Sequence, residues 1–261
     1  MKKKLFIFIF LIIFLLALSN GNILTSPVFA QDTASPKSVP RVVLVELFVQ
    51  GSCPSCPTAE FCLEDLAWEY GTSKLILVEE HLWGDGYDTT ETNARYDWYV
   101  DVNSDKRGTP DVFINGLTRR LWGLVCDCVE GNYNCYKKAI DEELTEPPLV
   151  ELSASKTITE SNYIIEGTVK NISDTPLKDL AVCGMVGKEG DEPGLYYYIQ
   201  DIFPFQNMPP LLPGATFSFK FVPEISLALK LEIDGEEEVL HPVIFVQNTE
   251  TKEILQAFYL E

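Results

Sequence analysis

Cys53 and Cys56 stand where an apolar run ends and an amphipathic pattern begins. Arg41-Val-Val-Leu-Val-Glu-Leu-Phe-Val49 is almost continuously apolar, which predicts a strand over Val42–Val49 buried on both faces of a sheet. From Pro57 to Tyr70, residues Ala59, Cys62, Leu63, Leu66, Ala67 and Tyr70 recur at three- and four-residue intervals. That spacing predicts a helix with one apolar face, stopped at Gly71. Leu75–Val78 is a second buried strand, so the two cysteines fall at the strand-to-helix turn of a parallel β-α-β unit with a right-handed crossover.

This placement matters because only a thiolate is nucleophilic, and an ordinary cysteine of pKa ~8.5 is mostly protonated at neutral pH. A helix N-terminus offers unpaired backbone N–H groups and the positive end of the helix dipole, and both favour the anion. Cys56 lies within one turn of Cys53, close enough to resolve a mixed disulfide. The pattern therefore predicts Cys53 as the attacking thiol and Cys56 as its resolver. A structural bridge or half of a zinc site are the alternatives for the same spacing. Thr109-Pro110 precedes another apolar run, Val112-Phe-Ile-Asn-Gly116. An X-Pro bond adopts cis at modest cost. A cis Pro110 would turn the Thr109 backbone outward beside the cysteines, to meet an extended peptide and to keep metal from the thiols. A trans proline leading into a strand is the other reading.

The rest of the first half predicts a helix over Thr89–Val100, a hairpin from Val112–Gly116 to Leu117–Leu121 around Asn115-Gly116, and a helix over Tyr133–Leu144. Glu146-Pro147-Pro148 breaks that helix and marks a boundary. Beyond it come short β-prone runs: Val150–Lys156, Tyr163–Val169, Leu177–Val186, Leu195–Phe203, Thr216–Phe221, Leu229–Ile233, Val243–Val246 and Ile254–Tyr259. Turn formers separate them at Asn171–Asp174, Gly187–Gly194, Pro209–Gly214 and Asp234-Gly235. Strands at this spacing without helices predict an antiparallel sandwich.

At the start of the chain, Lys2, Lys3 and Lys4 precede an unbroken apolar run from Leu5 to Leu18, and Val28-Phe29-Ala30 supplies a signal-peptidase pattern. The run is shorter than the ~20 residues that span a bilayer. Residues 1–30 therefore read as a signal peptide; an uncleaved anchor is the alternative and the only membrane attachment predicted. Residues 31–40 read as a linker. Loss of three lysines with the leader takes the formal charge from −19 to −22. Such a field repels nucleic acid and anionic headgroups. The predicted location is extracytoplasmic: periplasmic, cell-surface or secreted.

In an exported chain, seven cysteines make disulfides the default. Cys62, Cys126, Cys128 and Cys135 are the structural candidates. Cys126-Asp-Cys128 is too tight for an easy internal bridge, so pairing with Cys62 and Cys135 is predicted, with an electron relay or a zinc site as alternatives. Cys183 reads as a buried strand thiol. Asp85, Asp88, Asp97, Asp101 and Asp105 match no calcium loop and read as solvated acids. Trp83, Tyr87, Tyr96 and Trp98 read as core packing or as a partial roof over the cysteines. His81, at the end of the second strand, is a candidate to stabilise the Cys53 thiolate or a hydrogen-bonded structural residue.

Glu46-Leu-Phe-Val-Gln-Gly-Ser-Cys-Pro-Ser-Cys-Pro57, then Glu80-His81, then Thr109-Pro-Asp-Val-Phe-Ile-Asn-Gly116, resembles a family of secreted bacterial thioredoxin-like proteins of unassigned function. The resemblance covers residues 41–145. It departs at Val49, where the family usually has Thr, and Ser52 stands where thioredoxin itself has Trp. It implies a thioredoxin-like α/β domain over 41–146, while the strand spacing after Pro148 predicts an immunoglobulin-like β-sandwich domain over 149–261. It also implies a buried acid near the first strand that shuttles the resolving thiol's proton. Glu46 is the candidate, against a carboxylate facing solvent. Cys53, Cys56 and Thr109-Pro110 together predict thiol–disulfide exchange with protein thiols and disulfides, and with a redox donor or acceptor protein. It needs no cofactor and no metal. The competing readings are a non-catalytic binding protein whose cysteines are all structural, and a metal carrier.

Overall fold

The apolar run after Arg41 becomes β1 (Val43–Val49), with every residue buried, in a computed structural model that describes residues 39–126, 129–158, 163–189, 197–223 and 240–261. The leader 1–30, the linker through residue 38, Cys128, the strand at Leu229–Ile233, the Asp234-Gly235 turn and part of the Gly187–Gly194 turn lie outside the described residues.

A strand with no exposed residue needs neighbours on both edges and cover on both faces. β1 pairs in parallel with β2 (Leu75–His81) over seven residue pairs, from Val43↔Leu75 to Val49↔His81. On its other edge it pairs antiparallel with β3 (Asp111–Ile114), from Val45↔Ile114 to Phe48↔Asp111. Helix α1 (Cys56–Tyr70) and helix α3 (Val129–Leu144) cover one face. There Val43, Val45, Leu47, Val49, Leu75 and Leu77 pack with Cys56, Cys62, Leu63 and Ile140. Helix α2 (Thr90–Tyr99) starts at a capping box in which Thr89 and Thr92 exchange hydrogen bonds. β4 (Arg119–Trp122) completes the hairpin with β3. The predicted helices thus form, with the last beginning four residues early, at Val129.

The second half is all strand among the described residues. β5 (Val150–Ile158), β6 (Tyr163–Asn171) and β10 (Thr216–Phe221) form a three-stranded antiparallel sheet in the order β10-β6-β5. Its inner residues Val150, Leu152, Ile165, Val169, Phe219 and Phe221 pack on Leu180, Val182 and Val186 of β7 (Leu180–Glu189), with Ile244, Val246 and Leu255 beside them. Those last three belong to β11 (Leu240–Asn248) and β12 (Ile254–Tyr259).

The second sheet of this sandwich is not separate. β8 (Tyr197–Ile202) pairs antiparallel with β7 and, through Glu79↔Tyr198, in parallel with β2. One sheet therefore runs β12-β11-β7-β8-β2-β1-β3-β4, with β9 (Gln206–Asn207) attached to β7. The chain from Val39 to Glu261 is one unit. Leu44, Ile76 and Val78 of the first half share a buried core with Cys183, Met185, Ile199, Val243, Phe245 and Ala257 of the second. For residues of β1 and of β12 to meet in one core, the sheet must curl over it. Contacts at the far edge agree: Ile254 N–H donates to the Asn115 carbonyl (3.0 Å), and Val42 N–H to Gln256 Oε1 (2.9 Å). Gly116 bridges to Glu253. A Cβ on Gly116 would fall 2.0 Å from the Lys252 carbonyl oxygen, and its φ is +65°, so only glycine allows this approach. The fold is β-rich, with all three described helices in its first half.

Candidate functional site

β1 ends at Val49, and the Gln50 carbonyl accepts the Cys53 N–H at 2.9 Å to close the turn into α1. Cys53 and Cys56 are joined as a disulfide. The helix starts at Cys56, so Cys53 stands just before it, and the Cys56 N–H donates to Cys53 Sγ at 3.1 Å. A backbone donor at the helix start thus points at the first sulfur. Exposure is asymmetric: Cys53 is half-buried and Cys56 is 1 % exposed. An incoming group reaches the first sulfur and not the second.

Thr109-Pro110 is a cis peptide. The Phe48↔Asp111 register carries Pro110 toward the end of β1 from which the cysteine turn departs. The segment is held from both sides. Tyr96 OH accepts the Gly108 N–H at 3.0 Å and donates to Asp111 Oδ2 at 2.9 Å. Arg120 Nε donates to Asp111 Oδ1 at 3.0 Å, and the Gly123 N–H to the Pro110 carbonyl at 2.8 Å. Burial raises the Asp111 pKa, while the Arg120 bonds and charge and then the Tyr96 bond oppose the rise.

His81 ends β2 opposite Val49. Its Nδ1 lies 2.7 Å from Asp85 Oδ2, and its Nε2 is buried with no hydrogen-bond partner among the described residues. Asp85 Oδ2 also accepts the Gly51 N–H (3.0 Å), and Oδ1 accepts the Tyr87 N–H (3.0 Å). Because both oxygens already act as acceptors, we assign the proton to His81 Nδ1. Asp85 thus ties the residue two before Cys53 to the histidine. The sequence reading of Asp85 as a solvated acid is corrected: its side chain is 4 % exposed. The rings of Tyr87 and Tyr198 stand 5.2 Å and 6.2 Å from that of His81. Tyr96 is fully buried, while Trp83 is 40 % exposed and its ring lies 5.7 Å from Tyr96.

Glu46 is not part of this group. Successive strand residues face opposite sides, and Val45, Leu47 and Val49 take the helix-covered face with Cys56. Glu46, between Leu44 and Phe48, faces the other core. It is fully buried, and it accepts a hydrogen bond from Arg95 Nε and one from Tyr99 OH at 2.8 Å. Arg95 also reaches Tyr99 OH (2.8 Å) and Gln247 Oε1 (3.3 Å). Burial pulls the Arg95 pKa down, but its buried neighbours, Glu46 foremost, reverse this to a net rise. Burial, then the Glu46 charge, raises Glu80 well above the ordinary carboxylate range. Glu80 Oε1 is 3.7 Å from Arg95 Nε, yet burial dominates, and we treat Glu80 as a neutral neighbour. The expectation that Glu46 serves the resolving thiol is therefore corrected; it also does not face solvent.

The buried acid on the thiol face is Glu79, fully buried, opposite Leu47 in the β1–β2 register and in phase with Leu75, Leu77 and His81. Glu60 was also missed. It sits one turn after Cys56, and burial followed by Glu64 raises its pKa to about 7. Alternation around Glu79 and the four-residue step from Cys56 to Glu60 were the sequence signals for both.

Of the other cysteines, Cys62 is a free thiol, so the predicted bridge to it is corrected: it is buried against the domain core and donates to the Val129 carbonyl (3.4 Å). Cys126 Sγ and Cys135 Sγ are 2.9 Å apart. Cys183 is buried in β7, and burial pushes its thiol up to about 12. Among the described residues, no three His, Cys, Asp or Glu side chains gather to hold a metal, and no helix is long and apolar enough to cross a membrane.

No protein-family model matches the chain. No curated protein matches it. Among solved structures it is similar to HBP35 of Porphyromonas gingivalis, with a TM-score of 0.58 and 18 % identity over 85 % of this chain and 75 % of that one. At that identity the likeness shows a shared fold alone. A domain of the outer membrane lipoprotein Omp28 from Porphyromonas gingivalis matches at a TM-score of 0.30 and 13 % identity, over 44 % of this chain and 88 % of that one. Bacteroides uniformis β-glucuronidase 2 matches at 0.32 and 18 %, over 41 % of this chain and 12 % of that one. Neither of these two scores carries an argument.

Proposed function

We propose that this chain is an extracytoplasmic thiol–disulfide oxidoreductase, built from a thioredoxin-like first half and an immunoglobulin-like second half, that exchanges disulfides with protein substrates. The observation that carries the reading is the Cys53–Cys56 disulfide at the start of α1, its first sulfur reachable and its second buried. In the oxidised form a substrate thiolate attacks Cys53 Sγ and expels Cys56 as the thiolate. A second substrate thiol then attacks the mixed disulfide at its substrate sulfur and releases Cys53. The substrate gains a disulfide and loses two electrons, and the pair Cys53–Cys56 takes them up. The reverse sequence reduces a substrate. The Cys56 N–H favours the Cys53 thiolate in the reduced form. Thr109 and Pro110, framed by Tyr96 and Arg120, offer a backbone edge to an extended substrate. His81, held by Asp85, stands at the end of β2. Glu79, in phase with the strand residues that pack on Cys56, is the carboxyl assigned in this reading to exchange a proton with it.

Trapping tests this. In the native host, Cys56→Ser should hold substrates covalently on Cys53, and the adducts should disappear with reductant or with Cys53→Ser. Normal expression with no mixed disulfide would refute exchange and leave a binding protein with a structural bridge. A structural bridge also resists mild reductant, with a potential below roughly −300 mV.

A further inference from the structure

We infer that Cys126 and Cys135 form a second, reversible disulfide that fastens the segment leaving β4 to α3. The two sulfurs are 2.9 Å apart and both residues are half-buried, so a small reagent can reach them. The approach is built by a buried side chain. Asn132 is fully buried, its Oδ1 accepts the N–H groups of Val125 (2.9 Å) and Cys126 (3.1 Å), and its Nδ2 donates to the Cys126 carbonyl (2.8 Å). Asn132 and Cys135 are three residues apart on α3 and so share a face. One side chain of that face grips the loop backbone while the next meets the loop's sulfur.

Cys62 is the less suitable partner. It is fully buried, its S–H donates to the Val129 carbonyl, and burial disfavours its thiolate. The same loop begins at Gly123, whose N–H holds the Pro110 carbonyl. The second disulfide thus lies three residues along the chain from the strut of the Thr109-Pro110 segment.

Closure needs an oxidant, and a small-molecule disulfide suffices. One of the two thiolates attacks the reagent, expels one small thiol and carries the other half as a mixed disulfide. The second thiolate attacks that protein sulfur and expels the remaining small thiol. The protein loses two electrons, the reagent gains two, and the two thiol protons end on the two small thiols. None of this depends on the Cys53–Cys56 chemistry.

The test uses the Cys53→Ser/Cys56→Ser chain, reduced, then treated with oxidised glutathione and blocked with iodoacetamide without further reduction. Cleavage at Arg120, Lys137 and Glu130 and before Asp127 puts Cys126 on residues 121–126, Cys128 on 127–130 and Cys135 on 131–137. We expect residues 121–126 linked to 131–137, the link lost on dithiothreitol treatment, and Cys126 alkylated in full in Cys135→Ser. Linkage of 121–126 to the Cys128 or Cys62 peptide instead, or alkylation of both Cys126 and Cys135 after oxidant, would overturn the inference. Because the first cysteine pair is absent from this chain, the outcome is separate from that of substrate trapping.

Discussion

Arg95→Met tests whether the two halves stand or fall together. The guanidinium is buried with Glu46, and it contacts Gln247 of β11, Tyr99 of its own helix and the Phe245 ring (5.0 Å). Methionine fills most of the volume and removes the charge, leaving the fully buried Glu46 carboxylate without its counter-ion. Breaking one side of a buried pair costs about 3–5 kcal/mol, chiefly because the remaining charge is stranded. For a folded unit of this size each kcal/mol lowers Tm by about 2–4 °C, so the expected fall is about 6–20 °C. Calorimetry and urea titration followed by tryptophan fluorescence give the measurement. The wild-type protein should unfold in one transition, since the network and the continuous sheet join the halves, and the variant should do the same at lower temperature. Glu46→Gln/Arg95→Met should recover part of the loss, with a coupling of about 0.5–3 kcal/mol in the double-mutant cycle. A loss below about 1 kcal/mol would show that Glu46 is not held by Arg95. Two separate transitions, only one of them shifted, would refute the claim that the halves form one cooperative structure.

Three further outcomes follow from the geometry of the cysteine site. Glu79→Gln should slow thiol exchange by roughly 10²-fold, the lower end for loss of a general acid–base group, while Glu46→Gln should leave exchange within a factor of about two; equal slowing in both would sink the face assignment, with stopped-flow reduction of a dithiol substrate as the assay. Asp85→Ala removes an acceptor shared by Gly51, Tyr87 and His81. Native-state hydrogen exchange at the Gly51 and Tyr87 amides should accelerate by an amount equivalent to about 1–3 kcal/mol, and unchanged protection there would refute the tether. Glu60, raised to about 7 by burial and then Glu64, binds its proton more tightly folded than unfolded. Its contribution is therefore present below the ordinary carboxylate range and is lost as pH rises through about 7. Glu60→Gln should flatten the decline in denaturation midpoint over that window; an identical pH profile would count against it.

Local signals in the sequence are strong around the cysteines and weak everywhere a long-range contact decides. The apolar run Val42–Val49, the three-and-four spacing of α1 and the Thr89–Thr92 cap are each written in neighbouring residues, and each forms. The side each residue faces is not. A strand covered on both faces reads as unbroken apolar sequence, so period two disappears and Glu46 and Leu47 become indistinguishable in phase. The pairing with β2 and the alternate packing partners restore it. Arg95 in a helix of low apolar content reads as a surface charge, because its partners Glu46 and Gln247 are 49 and 152 residues away in sequence. Asp85 sits between glycines in a polar stretch, which is the composition of a solvated loop; three donors arriving from Gly51, Tyr87 and His81 make it a buried anchor.

The same dependence on distant residues changes what the second half contributes. Read from sequence, the strands after Pro148 form a domain of their own. In the fold, β8 extends the first sheet at Glu79↔Tyr198, on the strand that also carries His81. The Tyr198 ring stands 5.4 Å from Tyr87 and 6.2 Å from His81, so a residue of the second half lines the histidine that Asp85 orients. Gln247 reaches Arg95 and Tyr99 inside the shared core, behind the sheet that presents the cysteines. Excising residues 149–261 would therefore uncover the edge of β2 and open the Glu46–Arg95 network together. The second half is part of the wall that holds the cysteine site in shape, whatever else its outer surface binds.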